Sequence, residues 1–368
     1  MRPVYLDCSA TTPPDPRVIE LMRHYLEVEF GNQGSRTHNY GSQARKAVEH
    51  ARDQIAAVVG VRRSEVIFTS GATEANNLAI FGGGPGHIVT TAIEHPSVME
   101  PIAELESRGC RVTRISPTPG GWVDAEQVLA AVRPDTVLVS VMHVNNETGV
   151  IQPIAKIAAG LQDSEVRFHV DAAQGFGKIA AGLDHPRIDC IGTSAHKIGG
   201  PQGVGALIAR RRSGSRKLRP LMFGGGQEAG LRPGTLPTHL IAGFGLAAEL
   251  AVREGEDRRE RAAQLRKCAL DLLRGCEVNG DPERSSPYIL NLSFPGLDSE
   301  EVIDAWSHLA AISNGSACAS HRAHCSYVLQ AMGVQEKKAA GAVRLSWYQS
   351  SEQPDFAKMA RAIHDRSA

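Results

Sequence analysis

Asp189-Cys190-Ile191-Gly192-Thr193-Ser194-Ala195-His196-Lys197 leads from an apolar, strand-like run into a small, hydroxyl-rich turn that ends on one lysine, with Ile198-Gly199-Gly200-Pro201 behind it. A lysine at the end of a buried strand loses solvation, its pKa falls, and its amine becomes usable as a nucleophile. Such an amine is what a Schiff base to pyridoxal phosphate requires. A solvated strand end is the plainer reading of Lys197, and company elsewhere in the chain decides between the two.

Strand and helix signals alternate on the N-terminal side of this stretch. Residues 65–69 are β-rich, and Ser70-Gly71-Ala72-Thr73-Glu74 turns directly into an apolar-periodic helix through Ile80. Strand, small-residue turn and helix start together form an anion site, because free amides at the helix N-terminus point at the ligand. Ser70 or Thr73 reads equally as a simple N-cap. No Gly-Lys-Ser/Thr follows, which disfavours a nucleotide-triphosphate loop. Further strand signals fall at 87–91, 112–115, 136–144, 167–170, 190–193 and 203–209, with helix signals at 97–107, 124–131 and 154–161. Such alternation predicts an α/β fold with a mainly parallel sheet and helices on both faces, and ligands beyond the strands' carboxyl ends.

The polar clusters fall at those ends: Glu94-His95, Asn145-Asn146-Glu147-Thr148, Asp171-Ala172-Ala173-Gln174 and Ser194-Ala195-His196-Lys197. Singly, His95 reads as a core histidine, Asn146 as a turn residue and Asp171 as a helix cap. Four clusters at strand ends together make a cofactor site. Asp171 can keep a pyridinium nitrogen protonated. Gln174 and Asn146 can hydrogen-bond the ring oxygen and the substrate, and His95 can stack on the ring and move protons. Thr73, Ser194 and His196 can hold the phosphate.

Towards the N-terminus, residues 15–28 and 42–59 have helical spacing. On the other side, a long helix is expected over 237–273, crossing a charged run at 253–261 that reads as a solvated face. The change of domain is expected near Arg253, giving a large domain of residues 12–252 and a smaller α+β domain of residues 1–11 and 253–368. The latter should hold strands near 288–293 and 342–347 and helices at 299–308, 326–332 and 354–363. Between them Cys318 sits among small, flexible, polar residues, which suits a thiol that must travel; a buried inert thiol is the other reading.

Composition narrows the class. A chain of 368 residues suits one large domain and a smaller one. Forty basic and forty acidic residues cancel, so no bulk field argues for direct nucleic-acid or membrane binding. No apolar run approaches the ~20 residues that span a bilayer. The seven cysteines are scattered and lack a C-x-x-C pair, which argues against a disulfide framework or a metal site and for a cytoplasmic protein with reduced thiols.

These segments resemble the cysteine desulfurases of the NifS/IscS type, on the class V aminotransferase, type I pyridoxal-phosphate fold. The matching residues include Tyr5-Leu6-Asp7, Thr69 to Glu74, Glu94-His95, Asn145 to Gly149, Asp171 to Gln174, His196-Lys197, Gly224 to Glu228 and Gly315 to Cys318, in the family's order and over almost the whole chain. The resemblance implies Lys197 as the Schiff-base lysine, Cys318 as the nucleophile, Arg344 as the clamp for the substrate carboxylate, and Ala72 among the residues around the cofactor. It also implies a homodimer in which Thr235 reaches the phosphate of the neighbouring subunit, L-cysteine as substrate and a sulfur-acceptor protein as partner. His321, Arg322, His324 and Cys325 depart from the small residues common after the active cysteine. Arg232 to Pro237 and Arg344 to Trp347 look closest to the DndA branch, which supplies sulfur for DNA phosphorothioation; iron–sulfur assembly and tRNA thiolation draw on the same persulfide. Transamination or selenocysteine lysis on the same fold, or a non-catalytic sulfur-carrier scaffold, are the competing expectations. A direct DNA-binding module is disfavoured by the zero net charge.

Overall fold

Short runs rich in Val, Ile and Thr, buried along their length, build the central sheet, as expected of strands covered on both faces. The computed structural model describes residues 2–211, 217–314, 326–348 and 352–367. In chain order the first strands are β1 (Val4–Tyr5), β2 (Val66–Thr69), β3 (His87–Thr91), β4 (Arg111–Ile115), β5 (Thr136–Ser140), β6 (Arg167–Asp171), β7 (Cys190–Ser194) and β8 (Gly205–Ala209). The seven from β2 to β8 are arranged β2-β8-β7-β6-β5-β3-β4. Strands β4, β3, β5, β6 and β7 pair in parallel, whereas β8 is antiparallel to both β7 and β2. The carboxyl ends of β2, β3, β5, β6 and β7 therefore share one edge. The helices Ala72–Phe81, Pro96–Ser107 and Ile154–Gly160 connect successive strands.

The remaining strands are β9 (Glu277–Val278), β10 (Ile289–Ser293), β11 (Ala310–Ala311) and β12 (Ala342–Ser346). β12, β10 and β9 form an antiparallel sheet. β1 pairs with β11, and the Cys8 amide donates to Ser346 O, so the start of the chain is stitched to its far end. This delivers Asp7, Ser9 and Ala10 to the edge where the central strands finish.

Three of the expected elements depart from the sequence pattern in instructive ways. The helix expected over 237–273 is two helices, Thr238–Arg253 and Gly255–Leu272, broken at Glu254, whose backbone leaves the helical region (φ −110°, ψ 10°). Ion pairs converge on that break: Glu254 accepts from the distant Arg17 and from Arg258 one turn on. The run 136–144 ends as a strand at Ser140, although the Val141 and His143 amides still donate to His169 O and Asp171 O. The second helix starts at Asn39 instead of 42, because His38 Nδ1 caps it by accepting from the Gly41 amide.

Gly245 shows why the helix Asn39–Val58 packs tightly on Thr238–Arg253: a Cβ there would lie 2.6 Å from Ala51 Cα. Phe68, Phe168, Phe176, Phe244, Trp306 and Trp347 are buried in one continuous core. Among the described residues no helix is long and apolar enough to cross a membrane.

Candidate active site

Ten of the residues singled out from sequence line one cavity of about 540 Å³: Ala72, Thr73, His95, Asn146, Asp171, Gln174, Ser194, His196, Lys197 and Arg344. All but Arg344 follow the carboxyl ends of central strands, as the sheet order dictates. Arg344 comes from β12 in the antiparallel sheet. Thr235 is exposed and does not line the cavity. Cys318, and with it Cys325, lies outside the described residues.

Lys197 ends a single tight turn, Ala195–Lys197, directly after β7. Its Nζ donates to the carbonyls of Ser9 and Ala10, the latter at 2.7 Å. The turn is fixed from the same N-terminal segment: the Thr12 amide and hydroxyl donate to His196 O, and the Gly199 amide donates to Thr12 Oγ1. His196 Nδ1 lies 3.1 Å from Thr11 Oγ1. Burial, reinforced by the charges of Lys197 and Lys178, lowers His196 to about 4. It is neutral at physiological pH.

Asp171 ends β6 with both oxygens engaged: Oδ1 accepts from the Ala173 amide and Oδ2 from Asn76 Nδ2, each at 3.0 Å. His95 caps the helix Pro96–Ser107 by accepting from the Ser97 amide. Burial lowers its pKa; Asp171 opposes this, while Lys197 and Arg344 add to it. Arg344 donates through Nη1 to Asn146 O at 3.0 Å and through Nη2 to Asp7 Oδ1 at 2.7 Å.

Among the buried polar atoms left without a partner are Asn146 Oδ1, Gln174 Oε1 and Arg344 Nε, all on residues that line this cavity. Buried polar atoms are rarely left so unless a water, an ion or a ligand completes them. On one side of the same space the helix Ala72–Phe81 begins at Gly71 with no side chain capping it, beside Ser194 and His196, which suits a phosphate. On the other side Asp171 supplies a held carboxylate. An amine, an acid and an anion seat around one cavity fit pyridoxal phosphate.

Sequence reasoning missed Asp7, Ser9, Asn76 and Ser97. Asn76 is fully buried on an otherwise apolar helix face, and that break in the apolar pattern was its one signal.

The fold and the cavity are those of a pyridoxal-phosphate enzyme. Comparison with known proteins narrows the class. The family described as aminotransferase class-V matches residues 4–359. "Cysteine desulfurase IscS" of Vibrio cholerae is 45% identical over 94% of this chain and 88% of that protein. Among solved structures, DndA from Streptomyces lividans is 45% identical with a TM-score of 0.81, covering 94% of this chain and 99% of that one. A NifS-like protein is 34% identical with a TM-score of 0.90 and full coverage of both chains. The chain belongs to the class-V aminotransferase family and, within it, to the cysteine desulfurases, enzymes that use pyridoxal 5′-phosphate.

Proposed function

We propose that this chain converts L-cysteine to L-alanine and passes the sulfur to Cys318 as a persulfide, from which an acceptor protein collects it. The net change is balanced without an outside oxidant: cysteine loses one sulfur atom and keeps its hydrogens, while the Cys318 thiolate gains that sulfur. The observation that carries this is the convergence of Lys197, Asp171, His95 and Arg344 on one cavity, together with the names of the relatives.

Lys197 would hold pyridoxal phosphate covalently, Asp171 its ring nitrogen, Asn146 and Gln174 its ring oxygen, and Ala72, Thr73, Ser194 and His196 the phosphate end. When bound, the cofactor supplies an electron sink for charge developing at the substrate's α-carbon. The protein's own groups do the rest. Arg344 binds the substrate carboxylate; with Nη1 and Nη2 already engaged, its unpartnered Nε and a remaining N–H leave a two-pronged face. Lys197 takes the α-proton, His95 handles a proton at the substrate sulfur, and the Cys318 thiolate attacks that sulfur.

The residues flanking the stretch that carries Cys318 support this. Ser313 pairs through its backbone with Arg344, and Ser326 donates to Glu147, the neighbour of Asn146. We take residues 12–252 as the cofactor-binding domain, and residues 1–11 with 253–368 as the smaller one. The working unit is a homodimer in which Thr235 serves the neighbouring subunit's phosphate; the exposed Leu221, Met222 and Phe223 suit such an interface. The cell compartment is the cytoplasm. The persulfide sulfur goes on to DNA phosphorothioation, iron–sulfur assembly or tRNA thiolation; IscS and DndA, each 45% identical to this chain, do not separate these destinations.

The test is product analysis with the pyridoxal-phosphate-loaded protein and L-cysteine. One alanine per persulfide, with the extra sulfur mapped to the Cys318 peptide by mass spectrometry, is the expected result. A keto acid, or turnover confined to selenocysteine, would replace it with the competing reactions.

A further inference from the structure

Asn76, fully buried on the helix Ala72–Phe81, joins three side chains from two other elements, the helix Pro96–Ser107 and β6. Its Nδ2 lies 2.9 Å from Ser97 Oγ and 3.0 Å from Asp171 Oδ2, and its Oδ1 lies 3.1 Å from His169 Nε2. A carboxylate only accepts, so the atom facing Asp171 is the amide nitrogen. The amide oxygen then faces His169, whose Nε2 must carry the hydrogen. Burial lowers His169 to about 3, so its ring is neutral. Its Nδ1 accepts from Ser140 Oγ at 2.8 Å. Every link in this chain has one direction.

The same logic reaches His95. The Ser97 amide points at His95 Nδ1 at 3.1 Å, and a backbone N–H cannot be reversed. Ser97 Oγ lies 2.8 Å from the same nitrogen. Because the backbone donor leaves no hydrogen on Nδ1, the hydroxyl that accepts from Asn76 gives its own hydrogen to His95. Two donors on Nδ1 require a lone pair there, which leaves the hydrogen of the neutral ring on Nε2.

We propose that Asn76, acting through Ser97, is a positioning residue that locks His95 in the Nε2–H tautomer, so that His95 meets the substrate as a hydrogen-bond donor and not as a base. This rests on the cavity being the cofactor and substrate site, and it refines the proton-handling part given to His95. Accepting a proton at Nε2 would need the hydrogen on Nδ1, set against the two Ser97 donors. The same Asn76 amide holds Asp171, so one side chain orients both the group assigned to the ring nitrogen and the group assigned to the sulfur.

The experiment is ¹H–¹⁵N correlation of histidine-labelled full-length protein, without and with pyridoxal phosphate, with the His95 signals assigned from His95→Gln. In the wild type, His95 should show one population, with a bare Nδ1 and a protonated Nε2. Asn76→Ala and Ser97→Ala keep the Ser97 amide on Nδ1 and weaken or remove the hydroxyl donor beside it, so each should let the second tautomer appear alongside the first and lower kcat about tenfold, with KM for cysteine within about twofold. Ser97→Thr, which keeps the hydroxyl, should restore the single tautomer. A hydrogen on Nδ1 in the wild type overturns the proposal, and that spectrum decides even if Asn76→Ala does not fold. An unchanged tautomer and kcat in folded Asn76→Ala also overturn it. Failure of the wild type to develop cofactor absorption would instead remove the assignment of the cavity.

Discussion

Arg344 donates through Nη2 to Asp7 Oδ1 at 2.7 Å, joining β12 to the first turn of the chain across 337 positions. With Nη1 on Asn146 O, the guanidinium is fixed at two points, and Nε is left without a partner in a buried setting. Such a cation is oriented before any substrate arrives, and preorganisation lowers the cost of binding. Asp7→Ala should therefore raise KM for L-cysteine about tenfold and leave kcat nearly unchanged, since charge-assisted hydrogen bonds of this kind are worth roughly 1.5–3 kcal/mol. Initial rates of alanine formation across a cysteine series check it. An unaltered KM would show that Asp7 does not orient Arg344.

Lys197 makes a different kind of connection. Its amine ties the turn after β7 to the carbonyls of Ser9 and Ala10. Lys197→Ala should abolish the visible absorption of bound pyridoxal phosphate and, independently, lower the melting temperature of the cofactor-free protein, because the Ala10 carbonyl loses its donor and the Ser9 carbonyl keeps only that of Gln174. Absorbance after loading and a thermal melt without cofactor separate the two effects. Retained absorption would remove Lys197 from its assigned part.

How much of this was legible in the sequence follows from where each partner lies. His95, Asn146, Asp171 and Lys197 each stand within a few positions of a strand end. In a parallel sheet those ends share an edge, so alternation of strands and helices was enough to bring them together. Arg344 was found only by resemblance, since nothing local to β12 shows that it faces a cavity built by another sheet. Asp7 and Ser9 reach the site through pairing of β1 with β11, a contact between opposite ends of the chain. Asn76 reads locally as a polar interruption in a helix, and its partners lie 21, 93 and 95 positions away. The break at Glu254 was invisible for the same reason: Arg17, which pairs with that residue, is 237 residues distant.

Cys318 carries the transferred sulfur in the proposed reaction and none of the cofactor contacts. Cys318→Ser should bind pyridoxal phosphate with the wild-type spectrum yet release no sulfide from L-cysteine in the presence of a thiol reductant. Normal turnover in this variant would shift the nucleophile to another thiol, with Cys325 the next to replace.

Glu94 gives a prediction about pH. Its Oε1 accepts from Thr91 Oγ1 and the Met142 amide, while Oε2 is buried without a partner. Burial pushes its pKa up to about 8, against the pull of those two hydrogen bonds. The folded protein therefore keeps a proton that the unfolded chain releases near 4.5. Between those values the native state binds more protons, so the contribution of Glu94 to stability falls as pH rises. Glu147, raised to about 7 by burial, acts in the same direction. His169, lowered to about 3, and His143 and His196, each lowered to about 4, act oppositely, gaining stability as pH rises towards 6.5. Lys178, lowered to about 7, does so from there upwards. The overall optimum thus mixes several groups, and a single substitution isolates one of them. Glu94→Gln mimics the neutral carboxyl at every pH. Its stability relative to wild type should climb between pH 5 and 8, by at most about 1.4 kcal/mol per pH unit, and level off above that window. Urea unfolding of both proteins at pH 5, 6.5 and 8 measures the difference, and a gap independent of pH would mean that Glu94 is ionised in the native protein.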